Sequence, residues 1–387
     1  MKIAMMVRAY LVSPVSNDIA YSPTGVAVAI AEGLAKRGHE VTFFGPEGTK
    51  LETTVETCNV RPLATTANQL FDMVNVTDLF KDYIPSLYDQ YMTRIMFERA
   101  RAGEFDVLFF HHPESAAPYA RLYPDVPVVY TLHDYLDSTR RQIMEMHTSP
   151  NQHFVSISNS QRRDAPDLKY AGTVYNGIDT DAFAFSDSHE DYLMFAGRIV
   201  PEKGLKEAVQ VALQTGKRLL IAGSTLPTSQ WYFDEYVKPF LSDKILYLGM
   251  MDRDQMARYY QKALALLVPI QWEEPFGLTM AEAMACGTPI IAFRRGSVPE
   301  VVDDTKTGFI VDNTSSMIEA VEKIDSISRK QCRKHVENNF SLTQMIDGYE
   351  KVLASIITPA SPVRAETKKI IRGLKKLSGK LLVNNPR

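Results

Sequence analysis

Cysteine is scarce in this chain, and no hydrophobic run is long. Cys58, Cys286 and Cys332 are the only cysteines in 387 residues, widely spaced and odd in number. That pattern excludes a disulfide framework and a zinc ligand set, and it fits a reduced compartment. No stretch approaches the roughly 18 apolar residues that span a bilayer. The opening MKIAMMVRAYLV carries Arg8 inside its apolar run and has no small-residue cleavage pattern. It reads as a first strand rather than a signal peptide, so a cytoplasmic location is expected. Charge of one sign is lacking too: a net −3 gives the chain as a whole no electrostatic case for nucleic acid. What is present, 45% hydrophobic and 23% charged residues, is the composition of a globular protein. At this length two domains are expected.

Short apolar runs alternate with helical patterns, the mark of parallel sheets built from βαβ units. The first half has KIAMMV, EVTFFG, DVLFFHH, VPVVYTLHD and HFVSISN, starting at Lys2, Glu40, Asp106, Val126 and His153. Their near-continuous apolarity suits strands covered on both faces. Between the first two, Val26, Ile30, Leu34 and Ala35 mark one face of a helix ending at Gly38. The pattern restarts with YLMFAGR, RLLIAG, KILYLGM, LALLVPI, TPIIAF and GFIVD, from Tyr192, Arg218, Lys244, Leu264, Thr288 and Gly308. Between the halves, YNGIDTDAFAFSDSHED replaces apolar periodicity with Asn, Gly, Asp and Ser, placing the seam near Asn176–Gly177. The expected division is residues 1–176, 177–350 and a C-terminal helix and tail over 351–387. Two doubly wound sheets so joined leave a crevice at the carboxyl ends of their strands, where open α/β sheets bind ligands.

The tail differs in character. Residues 361–387 hold eight basic residues against the single acid Glu366, a net +7 that leaves −10 for the rest. Ile370, Ile371, Leu374, Leu377, Leu381 and Leu382 recur at helical spacing, so residues 364–383 are a candidate for peripheral association with an anionic membrane face. The plain alternative is a solvated tail, and Gly373 and Gly379 weaken the helix.

The segment running from Glu274 through Pro275, Phe276, Gly277, Leu278 and Thr279 to Glu282 and Gly287 carries the strongest chemical signal. Pro275 and Gly277 fix a turn after LALLVPI, and a helix then runs from about Leu278 to Gly287. The unsatisfied N–H groups of that helix start are a site for a pyrophosphate. Eight residues at helical rise separate the two carboxylates by roughly 12 Å, near the sugar-to-ribose span of a nucleotide sugar. Earlier, in FAGRIVPEKG, Arg198 and Lys203 bring two cations to a strand end and helix start, an arrangement that invites an anion between them. The plain alternatives are a capping Glu with a solvated one, and two solvent-facing cations.

The Glu274–Glu282 segment resembles the E-x7-E motif of the retaining family-4 glycosyltransferases of GT-B fold, and the likeness extends in order along the chain to about residue 350. The resemblance implies two Rossmann-like domains facing a central cleft. It implies that Arg198 and Lys203 clamp the donor diphosphate, removing the need for a metal, that Glu282 takes the ribose, and that Glu274, with backbone at Phe276 and Gly277, positions the sugar. His133, in TLHD at the end of a strand, resembles the active-site histidine that contacts the donor sugar; a buried structural histidine is the alternative. His111 and His112 resemble the H-x-P loop and are weaker candidates for the acceptor pocket, set against simple surface placement. Gly25, in a loop Ser22–Val26 opening the first helix, would let backbone approach the donor; the family has two adjacent glycines there, and this chain has Thr24-Gly25. Met251, with Met250, resembles the position whose backbone reads the nucleobase, though methionine packs as readily. Ser156–Asn159 and Asn176–Asp179 are expected to be structural. No metal or cofactor is expected: the acidic DTD at 179–181 lies in the linker, where Asp179 should cap a turn.

The function implied is transfer of a hexose from a nucleotide sugar, UDP-glucose ahead of GDP-mannose, to a glycolipid, glycan or small molecule. A catalytically silent nucleotide-sugar sensor or scaffold would be expected to have lost Arg198, Lys203, Glu274 or Glu282, and all four are present. A GT-B-fold epimerase lacks the E-x7-E pattern, and a phosphorylase would need a far longer chain with a pyridoxal-phosphate lysine.

Overall fold

A computed structural model describes residues 1–16, 21–66, 69–70, 83–225 and 227–357. The tail candidate over 364–383 lies outside the described residues.

The apolar runs become strands because each can bury both faces under helices. The first sheet holds β1 (Lys2–Met6), β2 (Glu40–Phe44), β3 (Thr54–Glu56), β4 (Val107–Phe110), β5 (Val128–Leu132), β6 (Gln152–Ser156) and β7 (Tyr170–Thr173), in the order β3-β2-β1-β4-β5-β6-β7. The second holds β8 (Tyr192–Ala196), β9 (Arg218–Ala222), β10 (Ile245–Gly249), β11 (Ala265–Val268), β12 (Ile290–Phe293) and β13 (Gly308–Val311), in the order β10-β9-β8-β11-β12-β13. Every strand pairing is parallel. Each sheet reverses direction at its first strand, between β1 and β4 and between β8 and β11, the switch points where such sheets open toward a ligand. These are the two Rossmann-like domains of a GT-B fold. The strands that the sequence does not announce, β3 and β7, are three and four residues long, only part-buried and at sheet edges, so they carry no apolar run.

Two expectations are corrected. Gly25 does not lie in a loop: the first helix already begins at Ser22 and runs to Lys36, with Pro23 in its first turn, where a fixed φ suits helix entry. Gly25 is therefore an exposed helical residue with open space where a Cβ would stand. The second concerns residues 342–350, expected in the second domain, and the helix expected in the tail. The helix Leu342–Ile356 instead returns to the first domain. Its buried face, Met345, Ile346, Tyr349, Val352, Leu353 and Ile356, packs into one cluster with Ile3, Met5, Val7, Phe109, Val129 and Val155. Ile346 comes so close to the first helix that a Cβ on Gly33 would lie 2.6 Å from it, and Tyr349 shares a hydrogen bond with Thr131 at 3.0 Å. The first sheet leaves an apolar face that its own crossover helices do not cover, and this helix covers it.

The chain thus crosses between domains twice, side by side. The Ile178 N–H donates to the Phe340 carbonyl at 2.9 Å, and the Leu342 N–H to the Ile178 carbonyl at 3.0 Å. Beside this seam, Glu300 after β12 accepts from the Asn159 and Ser160 N–H groups after β6, each at 2.7 Å. Arg163 pairs with Glu273, which follows β11. Loops at the carboxyl ends of both sheets therefore meet, and those ends face one another. Among the described residues no helix is long and apolar enough to cross a membrane.

Candidate active site

The second domain contributes two adjoining loops. After β8, Gly197 takes φ +151° and lies against Gly223 after β9, where a Cβ would fall 1.8 Å from the Gly197 carbonyl oxygen. Only glycines allow these strand ends to close so tightly. A short turn, Pro201–Lys203, follows and stops at Gly204, whose φ is +72° and whose missing Cβ would stand 1.8 Å from the Pro269 carbonyl. That contact seats the turn on the end of β11 and delivers Lys203 to Glu274, its ion-pair partner. The Lys203 ammonium also lies 5.0 Å over the Trp272 ring, and the indole N–H donates to Glu274 Oε2 at 3.0 Å.

The backbone of Glu274 is held from the other side. Its carbonyl accepts the Ser297 N–H at 2.9 Å, and Gly296 (φ +53°) passes so near that a Cβ would lie 2.3 Å from the Glu274 backbone. Ser297 Oγ donates to the Phe276 carbonyl at 2.9 Å. Gly277, at φ +80°, then caps the helix Leu278–Ala285. The N–H groups of Gly277, Leu278 and Thr279 have no acceptor among the described residues, as a helix start without a side-chain cap requires. Pro275 and Phe276 are buried beneath them, Thr279 is part-buried, and Leu278 touches the cores of both domains.

One turn and more into that helix, Glu282 is part-buried, with the Tyr260 hydroxyl donating to it at 3.5 Å. Burial pushes its carboxyl up to about 7, against the opposing charge of Arg253. Arg198 stands apart: it is exposed, and its guanidinium has no ion pair or hydrogen bond among the described residues. The two cations thus differ in the structure, Lys203 engaged and Arg198 open. Met250 is exposed, while Met251 is part-buried against a groove formed with Tyr192, Arg218, Leu220 and Tyr259.

Across the cleft, the first domain offers histidines at the ends of β4 and β5. His111 and His112 are buried, so simple surface placement is excluded for both, and His133 is part-buried. His111 Nδ1 and His133 Nε2 are 2.8 Å apart, with rings stacked at 5.1 Å. Burial holds His133 down at about 3, and burial together with His133 holds His111 well below the usual range. Both are therefore neutral, and one must donate the shared proton while the other accepts. His111 Nε2 is buried without a partner among the described residues. His112 Nε2 meets the Tyr21 hydroxyl, which also accepts from Arg8 Nε at 3.4 Å, and Arg8 is paired at 2.8 Å with the buried Asp89. No hydrogen bond or ion pair joins these histidines to Lys203 or Glu274 among the described residues.

Sequence reasoning missed Arg8, Tyr21, Asp89, Tyr260, Trp272, Glu273 and Glu300. Arg8, just past β1, carries a signal, a cation at a strand's carboxyl end. Asp89 and Tyr260 lie in helices whose sequences give none. In the linker, Asp179 caps a turn by accepting the Asp181 N–H at 3.1 Å.

Residues 179–341 match the family model described as glycosyl transferases group 1, and residues 25–182 match glycosyltransferase family 4. The chain is 24% identical over 314 residues to the putative glycosyltransferase YtcC of Bacillus subtilis, covering 68% of this chain and 75% of that one. It is 24% identical over 370 residues to the N-acetyl-alpha-D-glucosaminyl L-malate synthase of Bacillus anthracis, covering 86% and 93%. Its fold is similar to that of Anabaena Alr3699/HepE crystallised with UDP-glucose, at a TM-score of 0.67 and 13% identity, covering 92% and 100%.

Proposed function

We propose that the chain, whose two halves match the group 1 and family 4 glycosyltransferase models and whose fold is GT-B, is a retaining enzyme that moves a hexose from a nucleotide sugar to an acceptor hydroxyl without a metal ion. The observation that carries this reading is the Lys203–Glu274 pair set beside the open N–H groups of the helix Leu278–Ala285, with Glu282 farther along the same helix. In the proposed complex the diphosphate draws Lys203 away from Glu274 and is met by Arg198 and the helix start, fixed positive groups that take the charge developing on the leaving phosphate. Glu282 accepts the ribose hydroxyls. Glu274, with the backbone at Phe276 and Gly277, accepts sugar hydroxyls, and His133 approaches the sugar from the first domain.

The acceptor oxygen bonds to the anomeric carbon as the bond from that carbon to the diphosphate breaks. The nucleoside diphosphate leaves with the electron pair, and the hydroxyl proton passes to the leaving phosphate. Retention rests on the family resemblance, and no side chain is assigned as a nucleophile. His111 and His112 would line the acceptor side. UDP-glucose is favoured over GDP-mannose, supported by the similar fold crystallised with UDP-glucose. The acceptor is a glycolipid, glycan or small molecule, and residues 364–383 would bring the enzyme to a membrane face that presents it.

A thermal-shift panel of UDP, GDP, UDP-glucose and GDP-mannose in EDTA tests this. A nucleotide at a hundred times its dissociation constant adds about 2.7 kcal/mol of stability. The expected result is a shift with one base, lost in Lys203→Ala and Glu282→Ala. A shift that survives both substitutions would overturn the assigned site.

A further inference from the structure

We infer that Trp272 is the positioning residue of the donor site, fixing Glu274 toward the sugar through its indole N–H and holding Lys203 toward the diphosphate through its ring face. The inference rests on the proposed nucleotide-sugar function and assigns a residue to which that reading gave no role.

The geometry leaves Glu274 little freedom except in its side chain. Its backbone is pinned by Ser297 and crowded by Gly296, so the direction of the carboxylate is set by whatever holds the carboxylate oxygens. Both of its contacts, the Lys203 ammonium and the Trp272 N–H, fall on Oε2. Oε1 has no partner among the described residues and is free for a sugar hydroxyl. When a diphosphate claims Lys203, the Trp272 N–H is the one remaining contact among the described residues that keeps Oε2 in place. A hydrogen bond to a charged acceptor is the stronger kind.

The ring does a second task. A cation over an indole face is attracted to it even while other anions compete for the charge, so Lys203 can exchange Glu274 for phosphate without leaving its seat. A long flexible ammonium side chain otherwise loses much rotamer freedom on binding. One side chain thereby spaces a carboxylate for the sugar and a cation for the phosphate. The two halves of this role are separable, because phenylalanine keeps a ring face and loses the N–H, whereas leucine loses both.

Calorimetric titration of wild type, Trp272→Phe and Trp272→Leu with UDP, GDP and ADP and with their glucose derivatives reads the two halves apart. For the base that wild type binds, Trp272→Phe should leave diphosphate affinity within about twofold and weaken the sugar nucleotide about tenfold, the loss of one charge-assisted hydrogen bond. Trp272→Leu should weaken the diphosphate as well, about fivefold, from the lost cation–ring contact. In turnover, Trp272→Phe should lower kcat/KM with an unaltered inhibition constant for the product diphosphate. Equal weakening of both ligands in Trp272→Phe, or none, would overturn the inference while leaving the donor site standing. Wild type binding no nucleotide at all would overturn the donor reading itself.

Discussion

Glu282 is held part-buried beside Tyr260, and burial lifts its carboxyl from the ordinary 4.5 to about 7. Between those values the folded protein holds a proton that the unfolded chain releases, so this group's contribution to stability is full below about pH 4.5 and is lost as pH rises through 7. Ribose hydroxyls donate best to the ionised form, so nucleotide binding should expel that proton. The dissociation constant should therefore tighten about tenfold between pH 6 and pH 8, most of it below 7, with proton release visible in buffers of different ionisation enthalpy. Glu282→Gln should flatten both dependences. A pH-independent affinity in wild type would place the ribose elsewhere. The neutral histidine pair lies at the carboxyl ends of β4 and β5 in the first domain. With His133 at about 3 and His111 lower than usual, neither gains charge near neutrality, so they supply hydrogen bonds rather than a titrating cation.

At the scale of elements, one carboxylate caps a turn that belongs to the other domain. Glu300 accepts from the Asn159 and Ser160 N–H groups at 2.7 Å, from Asn159 Nδ2 at 3.0 Å and from the Tyr175 hydroxyl at 2.9 Å. Asn159, at the start of the turn Ser160–Asp164, supplies no side-chain cap and Ser158 Oγ takes only the Gln161 N–H, so Glu300 satisfies the Asn159 and Ser160 N–H groups from across the seam. Glu300→Ala should lower stability by about 1 kcal/mol, read as a lower urea midpoint, with Glu300→Gln intermediate. A midpoint equal to wild type in both would show that water replaces the carboxylate at no cost. The neighbouring Arg163–Glu273 pair reinforces the same contact. There the Gly296 N–H and Arg163 overcome the effect of burial and hold the Glu273 carboxyl below its usual range.

For the whole molecule, the returning helix decides what can fold. Tyr349 and Leu353 are fully buried, and Ile346 and Met345 nearly so, all against the first sheet. A chain ending at residue 341 would expose that face, and deleting a single large buried side chain already costs about 2–5 kcal/mol. Such a chain should lose cooperative unfolding of the first domain or accumulate as aggregate. A chain ending at residue 357 should unfold like wild type and bind nucleotide, yet lose the liposome binding assigned to residues 364–383. Equal liposome binding with and without the tail would end the membrane reading, and cooperative folding of the chain ending at 341 would show that the helix is dispensable.

The sequence by itself determined most strands and their division into two sheets, because a strand buried on both faces must be written as a short continuous apolar run. It also marked the loops proposed to take the donor, since glycines at strand ends and paired charges beside a helix start are local features within a few residues of each other. The edge strands β3 and β7 escaped it, being too short and too exposed to need such a run. Only tertiary structure decided the partners. Lys203 finds Glu274 across 71 residues, through turns whose closeness depends on Gly204 and Gly296 packed against distant backbone, and Thr131 finds Tyr349 across 218, from a strand to the helix packed on it. Burial of Glu282, the neutrality of the histidines and the return of the last helix are likewise set by what lies on the far side of a sheet or cleft. No local pattern encodes that, because desolvation and packing depend on neighbours brought together only by the completed fold.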